Sequence, residues 1–316
     1  MKYGYEIEQS QLTMKDADDA SILVYAEPSD EEKQELLQTL NLDKLTLESV
    51  LDPDEVPRVE VSPDWLLIIW KRPDNCSFQE QLKFEVSSIG IVVQPSRVTV
   101  ILAEKTVPFG DKEFQRLTSL KDLTLRLLLQ TIHHYLGHLK AIKSISRDLQ
   151  SKLSTSMENK YLLQMFSLGE GLVYYHNALE SNATVLAKIR GIAERTGFSK
   201  DEIELLDDLT IENQQACKQA SIYTTVLSGL MDARGTIISN NMNVLLKNLT
   251  LINVVFLPLN LVAGILGMSE FSMMTQGGNW IISYGSFLLS MVFMGLFTWF
   301  WLIRVIDKGQ TRIKKG

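Results

Sequence analysis

Between Asn240 and Met268 an apolar run is broken by polar residues at a regular beat. Counting back by threes and fours from Gly267 gives Gly264, Asn260, Leu257, Asn253, Thr250, Leu246 and Asn243, and further out Ser239, Thr236 and Asp232. That spacing marks one face of an α-helix. The chemistry of the face is that of oxygen donors, because amide and hydroxyl oxygens accept hydrogen bonds from water or approach a cation, and Asp232 adds a carboxylate.

No charge occurs from Asn248 to Ser269, a run of 22 residues. At ~1.5 Å per residue such a helix spans the ~30 Å hydrocarbon core of a bilayer. Amide side chains are disfavoured in lipid, so Asn253 and Asn260, seven apart on the same face, must turn to other protein or to water. A helix interface or a pore would each satisfy them. The stripe continues for about ten turns, longer than packing within a bilayer requires, which favours a conduit. A tube lined in this way would pass cations.

The rest of the chain must hold that helix in place. A second uncharged run of 23 residues, Ile281 to Ile303, is a second spanning helix, with Trp280 and Tyr284 at one end and Trp299 and Trp301 at the other suited to the two interfacial belts. Arg304, Lys308, Arg312, Lys314 and Lys315 against Asp307 give the last thirteen residues +4, so the remainder of a chain of net charge −7 carries −11. An acidic body argues against nucleic-acid binding and is compatible with attracting cations. The loop between the spans holds only Glu270, so the positive-inside rule places both termini in the cytoplasm and the loop outside. Two helices cannot enclose a water path, and a pore along the first requires several copies around an axis.

Upstream, the first residues show neither an apolar core nor an arginine-rich amphipathic pattern, and the first 240 residues are expected to stay cytosolic. From about Ser21 to Glu104 the pattern is mixed α/β, with strands expected at Ile22 to Tyr25, Trp65 to Trp70, Phe84 to Val93 and Val98 to Leu102. Ser29 and Glu32 form a capping box for a helix through Leu40. From about Lys112, apolar residues at threes and fours predict a helix to about Ser154, then a second from Met157 to Arg195 stopped by Gly197. Ser199 and Glu202 cap a third, which without a break runs 69 residues from Lys200 to Met268, roughly 100 Å. Cys76 and Cys217 lie 141 residues apart, form no CxxC unit and are read as buried thiols. His134 and His138 are spaced i,i+4, but no glutamate follows the first as HExxH demands. There is no P-loop, no GxSxG and no nucleophile with an evident base, which argues against an enzyme.

The run LPLNLVAGILGMS, the second apolar helix and the basic tail resemble the CorA family of divalent cation transporters, the two-helix GxN family. VLSGLMDARGTIISNNMNVLLKNLT upstream and LDPDEVPRVEV in the N-terminal part are similar to that family too. The resemblance implies a homopentameric funnel, each subunit giving an α/β cytosolic domain, a long helical stalk and two C-terminal transmembrane helices. It implies Mg2+, Co2+ or Ni2+ as substrate, or Zn2+ in a ZntB branch. No cofactor is implied, the divalent cation (Mg2+ or Zn2+) being substrate and possible regulator, and the expected setting is a plasma membrane, that of a bacterial inner membrane first.

The family's Gly-Met-Asn falls on Gly267, Met268 and, in departure from the pattern, Ser269. Serine keeps an acceptor oxygen on a shorter side chain, so a ring of five would be wider and hold a hydrated ion less firmly, with Glu270 beside it to concentrate divalent ions. The resemblance further implies a polar pore position at Asn260, a hydrophobic constriction at Leu257, a polar ring at Asn243, an acid below it at Asp232, and an inter-subunit regulatory Mg2+ ligand at Asp208. A protein that kept this fold as a non-conducting membrane sensor is the alternative of another class, motivated by Ser269. The expected organisation is a cytosolic α/β domain over 1–110, a helical pair over 111–198, the stalk part of the long helix over 199–247, a pore-lining membrane helix over 248–269, an external loop over 270–279, a second membrane helix over 280–304 and a basic cytosolic tail over 305–316.

Overall fold

The computed structural model describes the chain except residues 75–82, 106, 110–113, 156–158, 268–272, 274–275 and 314–316. It divides into two compact units, Met1–Met231 and Asp232–Gly316.

The first unit is built on a seven-stranded sheet of order β2-β1-β3-β7-β6-β5-β4, with β1 Lys2–Glu8, β2 Gln11–Lys15, β3 Ile22–Ala26, β4 Arg58–Val61, β5 Leu66–Pro73, β6 Val86–Val93 and β7 Val98–Leu102. All neighbours are antiparallel except β3 and β7, which run parallel. The side-chain period of two divides the central strands between two cores. Ile22, Val24, Ile68, Trp70, Val98 and Val100 face one, and Leu23, Tyr25, Leu67, Ile69 and Ile101 the other. Helices α1 (Asp30–Leu40) and α2 (Lys44–Leu51) cover the second face through Leu36, Leu40, Leu47 and Val50. The first face is covered by α3 (Leu120–Thr155), α4 (Asn159–Ile192) and the start of α5 (Lys200–Leu266), whose farther turns in this unit make a third apolar cluster with α3 and α4.

Local sequence explains the boundaries. Ser29 and Glu32 exchange the two hydrogen bonds of the capping box expected at α1. The box at Ser199 and Glu202 also forms, and its carboxylate additionally accepts from Ser119 Oγ at 2.5 Å, tying the starts of α5 and α3 together. Helix α4 stops at Ile192, short of the expected Arg195, and Gly197, at a φ of 71° in the left-handed conformation, closes the turns that follow it. Three departures from the sequence reading have physical causes. The β1–β2 hairpin turns at Gln9 and Ser10, both at positive φ, where a two-residue turn is normally announced by Asn or Gly. Phe114 and Leu117 keep helical spacing but are buried ahead of α3, which begins only after Ser119 accepts from the Asp122 backbone N–H. Cys217, read as buried, is half-buried and free, while Cys76 lies outside the described residues.

In the second unit, the remainder of α5 is followed by α6 (Trp280–Ile313), which continues beyond the apolar run into the basic tail. Both carry segments long and apolar enough to cross a membrane. The α/β domain, the long helix and the two apolar C-terminal helices are those expected.

Candidate functional site

Within the second unit, α5 has two unlike sides. Leu251, Val255, Pro258, Leu259 and Val262 are half-buried and recur at threes and fours, so they share one side of the helix. On α6 the half-buried row is Phe287, Met291, Met294, Gly295, Thr298 and Leu302. These rows meet, because a Cβ added to Gly295 would stand 3.4 Å from Leu259 Cδ1. A small residue at Gly295 seats the larger Leu259 against α6, the small-residue contact that apolar helices use where no hydrophobic drive separates them from lipid.

At ~100° per residue the row of Asn243, Leu246, Thr250, Asn253, Leu257, Asn260 and Gly264 falls on roughly the opposite side. Every one of these seven residues is exposed in the single chain. Leu257 is 71% exposed, whereas Leu259, two positions on, is the residue that touches α6. The oxygen chemistry of the row survives helix formation. Thr250 Oγ1 donates to the Leu246 carbonyl at 2.8 Å, and Thr236 Oγ1 to the Asp232 carbonyl at 3.0 Å. With the hydroxyl hydrogen turned into the helix, the oxygen lone pairs point outward as acceptors. α5 passes through Pro258 without ending, as spanning helices tolerate.

The remaining sequence-predicted residues separate into three groups. Gly267 is exposed just past the end of α5, where its N–H donates to the Ala263 carbonyl at 2.9 Å. Met268, Ser269 and Glu270 lie outside the described residues. Asp232 is exposed at the start of the second unit. Asp208 belongs to the first unit and is exposed on α5, next to Asp207, whose carboxylate accepts from Arg190 Nε at 2.8 Å. Of the two carboxylates, the pair to Arg190 engages Asp207 and not Asp208.

The row of α6 that receives α5 was missed by sequence reasoning, although its spacing and Gly295 carried a signal. Also missed was Asn182, fully buried on α4, whose side chain accepts from Lys71 N at 3.0 Å and donates to Lys71 O at 2.8 Å. It pairs with β5 beyond the end of β4 as a further strand would. His138, considered as a metal ligand with His134, instead stands 2.6 Å from the Tyr175 hydroxyl. Burial holds its imidazole below the usual range.

Comparison with known proteins agrees with this architecture. The chain is 26% identical over 287 residues to a cobalt/magnesium transport protein CorA of Methanocaldococcus jannaschii, covering 86% of this chain and 87% of that protein. It is similar to the complete structure of the CorA magnesium transporter from the same organism, with a TM-score of 0.74 at 22% identity over 94% of this chain and 96% of the other. The cytoplasmic domain of ZntB from Vibrio parahaemolyticus shares the fold of the first part, with a TM-score of 0.54 at 9% identity over 77% of this chain and 98% of the other. The model of one family, described as CorA-like Mg2+ transporter protein, matches residues 18–304, nearly the whole chain, including both candidate spans and the polar row carried by the first of them. A membrane protein that carries divalent cations rather than an enzyme, the chain belongs to the CorA-like Mg2+ transporter family.

Proposed function

We propose that the chain forms a homopentameric, passive divalent cation channel with both termini cytoplasmic, favouring Mg2+ with relaxed selectivity. The observation that carries this is the exposed oxygen-bearing row of α5 on the side turned away from α6. Amides so placed would meet lipid in a lone chain, and a ring of copies turns them to a shared aqueous axis. The family and the relative's description as a cobalt/magnesium transport protein support Mg2+ as the ion.

Mg2+ dehydrates reluctantly, so a path that passes it keeps water around it. The outward hydrogens of that shell need acceptors, which is what Asn243, Thr250, Asn253 and Asn260 supply. Between them Leu257 presents five apolar side chains to the axis, a constriction that gates by dewetting. At the outer end Gly267, Met268 and Ser269 form the selective mouth and Glu270 concentrates cations there, while Asp232 draws them out at the cytoplasmic end. Asp208 binds a regulatory divalent ion between subunits.

Zn2+, Co2+ or Ni2+ transport is the second reading, favoured by Ser269 where the family has asparagine. A shorter acceptor holds the intact shell less well, and sites that touch the ion directly prefer later divalent metals to Mg2+. Competitive flux through the purified protein in liposomes tests both. Mg2+ uptake that Zn2+, Co2+ and Ni2+ readily inhibit is expected. Uptake of Zn2+ with Mg2+ excluded would transfer the protein to the second reading, and no flux of any divalent ion would show a non-conducting descendant of the fold.

A further inference from the structure

The side of α6 turned away from α5 carries a pattern of its own. Phe293, Phe297, Phe300 and Arg304 recur at fours and threes, so they share one face, and all four are exposed. At ~100° per residue this face lies roughly opposite the row through Gly295 that receives Leu259. Toward Trp280 the same face continues through Leu289, Ser286 and Ile282, also exposed. Its two halves therefore differ, aliphatic and small at one end and three phenylalanine rings about one turn apart at the other. The rings belong to the candidate span Ile281–Leu302, and Arg304 stands just past its end.

We propose that the aromatic half of this face binds an anionic phospholipid, with Arg304 holding the phosphate and the rings lying along an acyl chain. The dimensions agree. Phe293 and Arg304 are eleven positions apart, about 16 Å along a helix, against about 15 Å for half of a ~30 Å hydrocarbon core. The stripe covers one leaflet and ends at headgroup depth. A guanidinium presents a planar fork that meets two phosphate oxygens at once, which an ammonium does not. Phenylalanine side chains have few rotamers to lose, so an acyl chain ordered against them costs little on the protein side. The site requires only that α6 span a membrane and is independent of which ion passes along α5. Lys247 is an exposed cation too, the last charge before the uncharged run of α5, but it belongs to the other helix and not to the stripe.

Native mass spectrometry of the full-length protein in mild detergent tests the site, with dioleoylphosphatidylglycerol and dioleoylphosphatidylcholine added at equal concentration. Their acyl chains are the same and only the headgroup charge differs. The wild type should retain the anionic lipid in preference by about fivefold, the gain expected of one cation at an anionic surface. Arg304→Gln should bring the ratio close to one, and Arg304→Lys, which keeps the charge and loses the fork, should keep less than about half of the preference. Lys247→Gln should leave the ratio unchanged. Phe297→Ala should weaken retention of both lipids alike, again without moving the ratio. The mass of the intact assembly in the same spectra reports folding.

Equal retention of the two lipids by the wild type overturns the proposal, as does an undiminished ratio in Arg304→Gln. A loss in Lys247→Gln as large as in Arg304→Gln would overturn it too, by reducing the effect to general attraction between charges. If Phe297→Ala changed the number of chains in the assembly, the rings would belong to a contact between copies and not to lipid. Were Arg304→Gln itself to lose the wild-type assembly, an undiminished preference in Arg304→Lys would overturn the site alone.

Discussion

Leu257 and Leu259 are chemically identical, apolar and two positions apart, yet the structure gives them opposite tasks. Leu257 is 71% exposed on the oxygen-bearing side, and Leu259 packs against Gly295. Leu257→Ser should therefore raise basal ion leak in proteoliposomes several-fold by wetting the constriction. Leu259→Ser should leave leak near the wild-type level and lower the Tm, because it removes buried contact at a cost of about 2–5 kcal/mol, by analogy with large-to-small core changes. Leak from Leu259→Ser with none from Leu257→Ser would invert the assignment of faces. At the mouth the proposed Ser269 ring lacks the longer amide, so Ser269→Asn should sharpen discrimination for Mg2+ over Zn2+ in competitive flux. Glu270→Gln should weaken uptake of all divalent ions, most visibly at low ionic strength where screening is least. An unchanged Mg2+ to Zn2+ ratio in Ser269→Asn would move the determinant elsewhere.

Between helices, close approach rests on missing side chains. A Cβ at Gly295 would meet Leu259 at an ordinary van der Waals distance of 3.4 Å, so Gly295→Ala should be tolerated. Gly295→Leu adds atoms with no room to enter and should cost about 1–3 kcal/mol, read as a lower Tm in detergent. The same logic is sharper in the sheet, where a Cβ at Gly90 would lie 2.2 Å from Val50 Cγ1 of α2. Gly90→Ala should lower the Tm, and adding Val50→Ala should restore part of the loss. If the second change deepened the loss, crowding by Val50 would not be the cause. Neither contact was legible in the sequence, because both depend on which element lies across from a glycine. What was legible has local causes. The capping boxes at Ser29 and Ser199 announce α1 and α5, β-branched runs announce β3, β5, β6 and β7, and the uncharged runs announce the spans. The hairpin at Gln9 and Ser10 and the strand β4 were not, since positive φ on residues other than Asn or Gly and a four-residue edge strand leave little pattern. The row of α5 was legible as a period, and its position opposite the α6 contact needed the second helix.

With two candidate spans per chain, the oxygen-bearing row of α5 stays exposed among the described residues of its own subunit. The side toward α6 is used for packing, while Asn243, Asn253 and Asn260 remain exposed on the other. An amide in hydrocarbon is costly enough that a lone chain with two of them, Asn253 and Asn260, in its apolar run is a poor membrane protein, and closed cyclic symmetry removes the cost from every copy at once. The expected native mass is that of five chains, and a monomer in mild detergent would defeat the pore reading outright. Mass alone does not say which side faces the axis, so engineered thiols supply that. In a Cys76→Ser, Cys217→Ser background, Asn253→Cys should form disulfides between subunits under mild oxidation, since residues ringing a narrow axis come within the ~3.5–4.5 Å between Cβ atoms that a disulfide needs. Val255→Cys, on the side half-buried with the α6-facing row, should not. Crosslinking at position 255 in preference to 253 would mean that the ring closes through the other face of α5, placing the asparagines outside the water path and the proposed selectivity row with them.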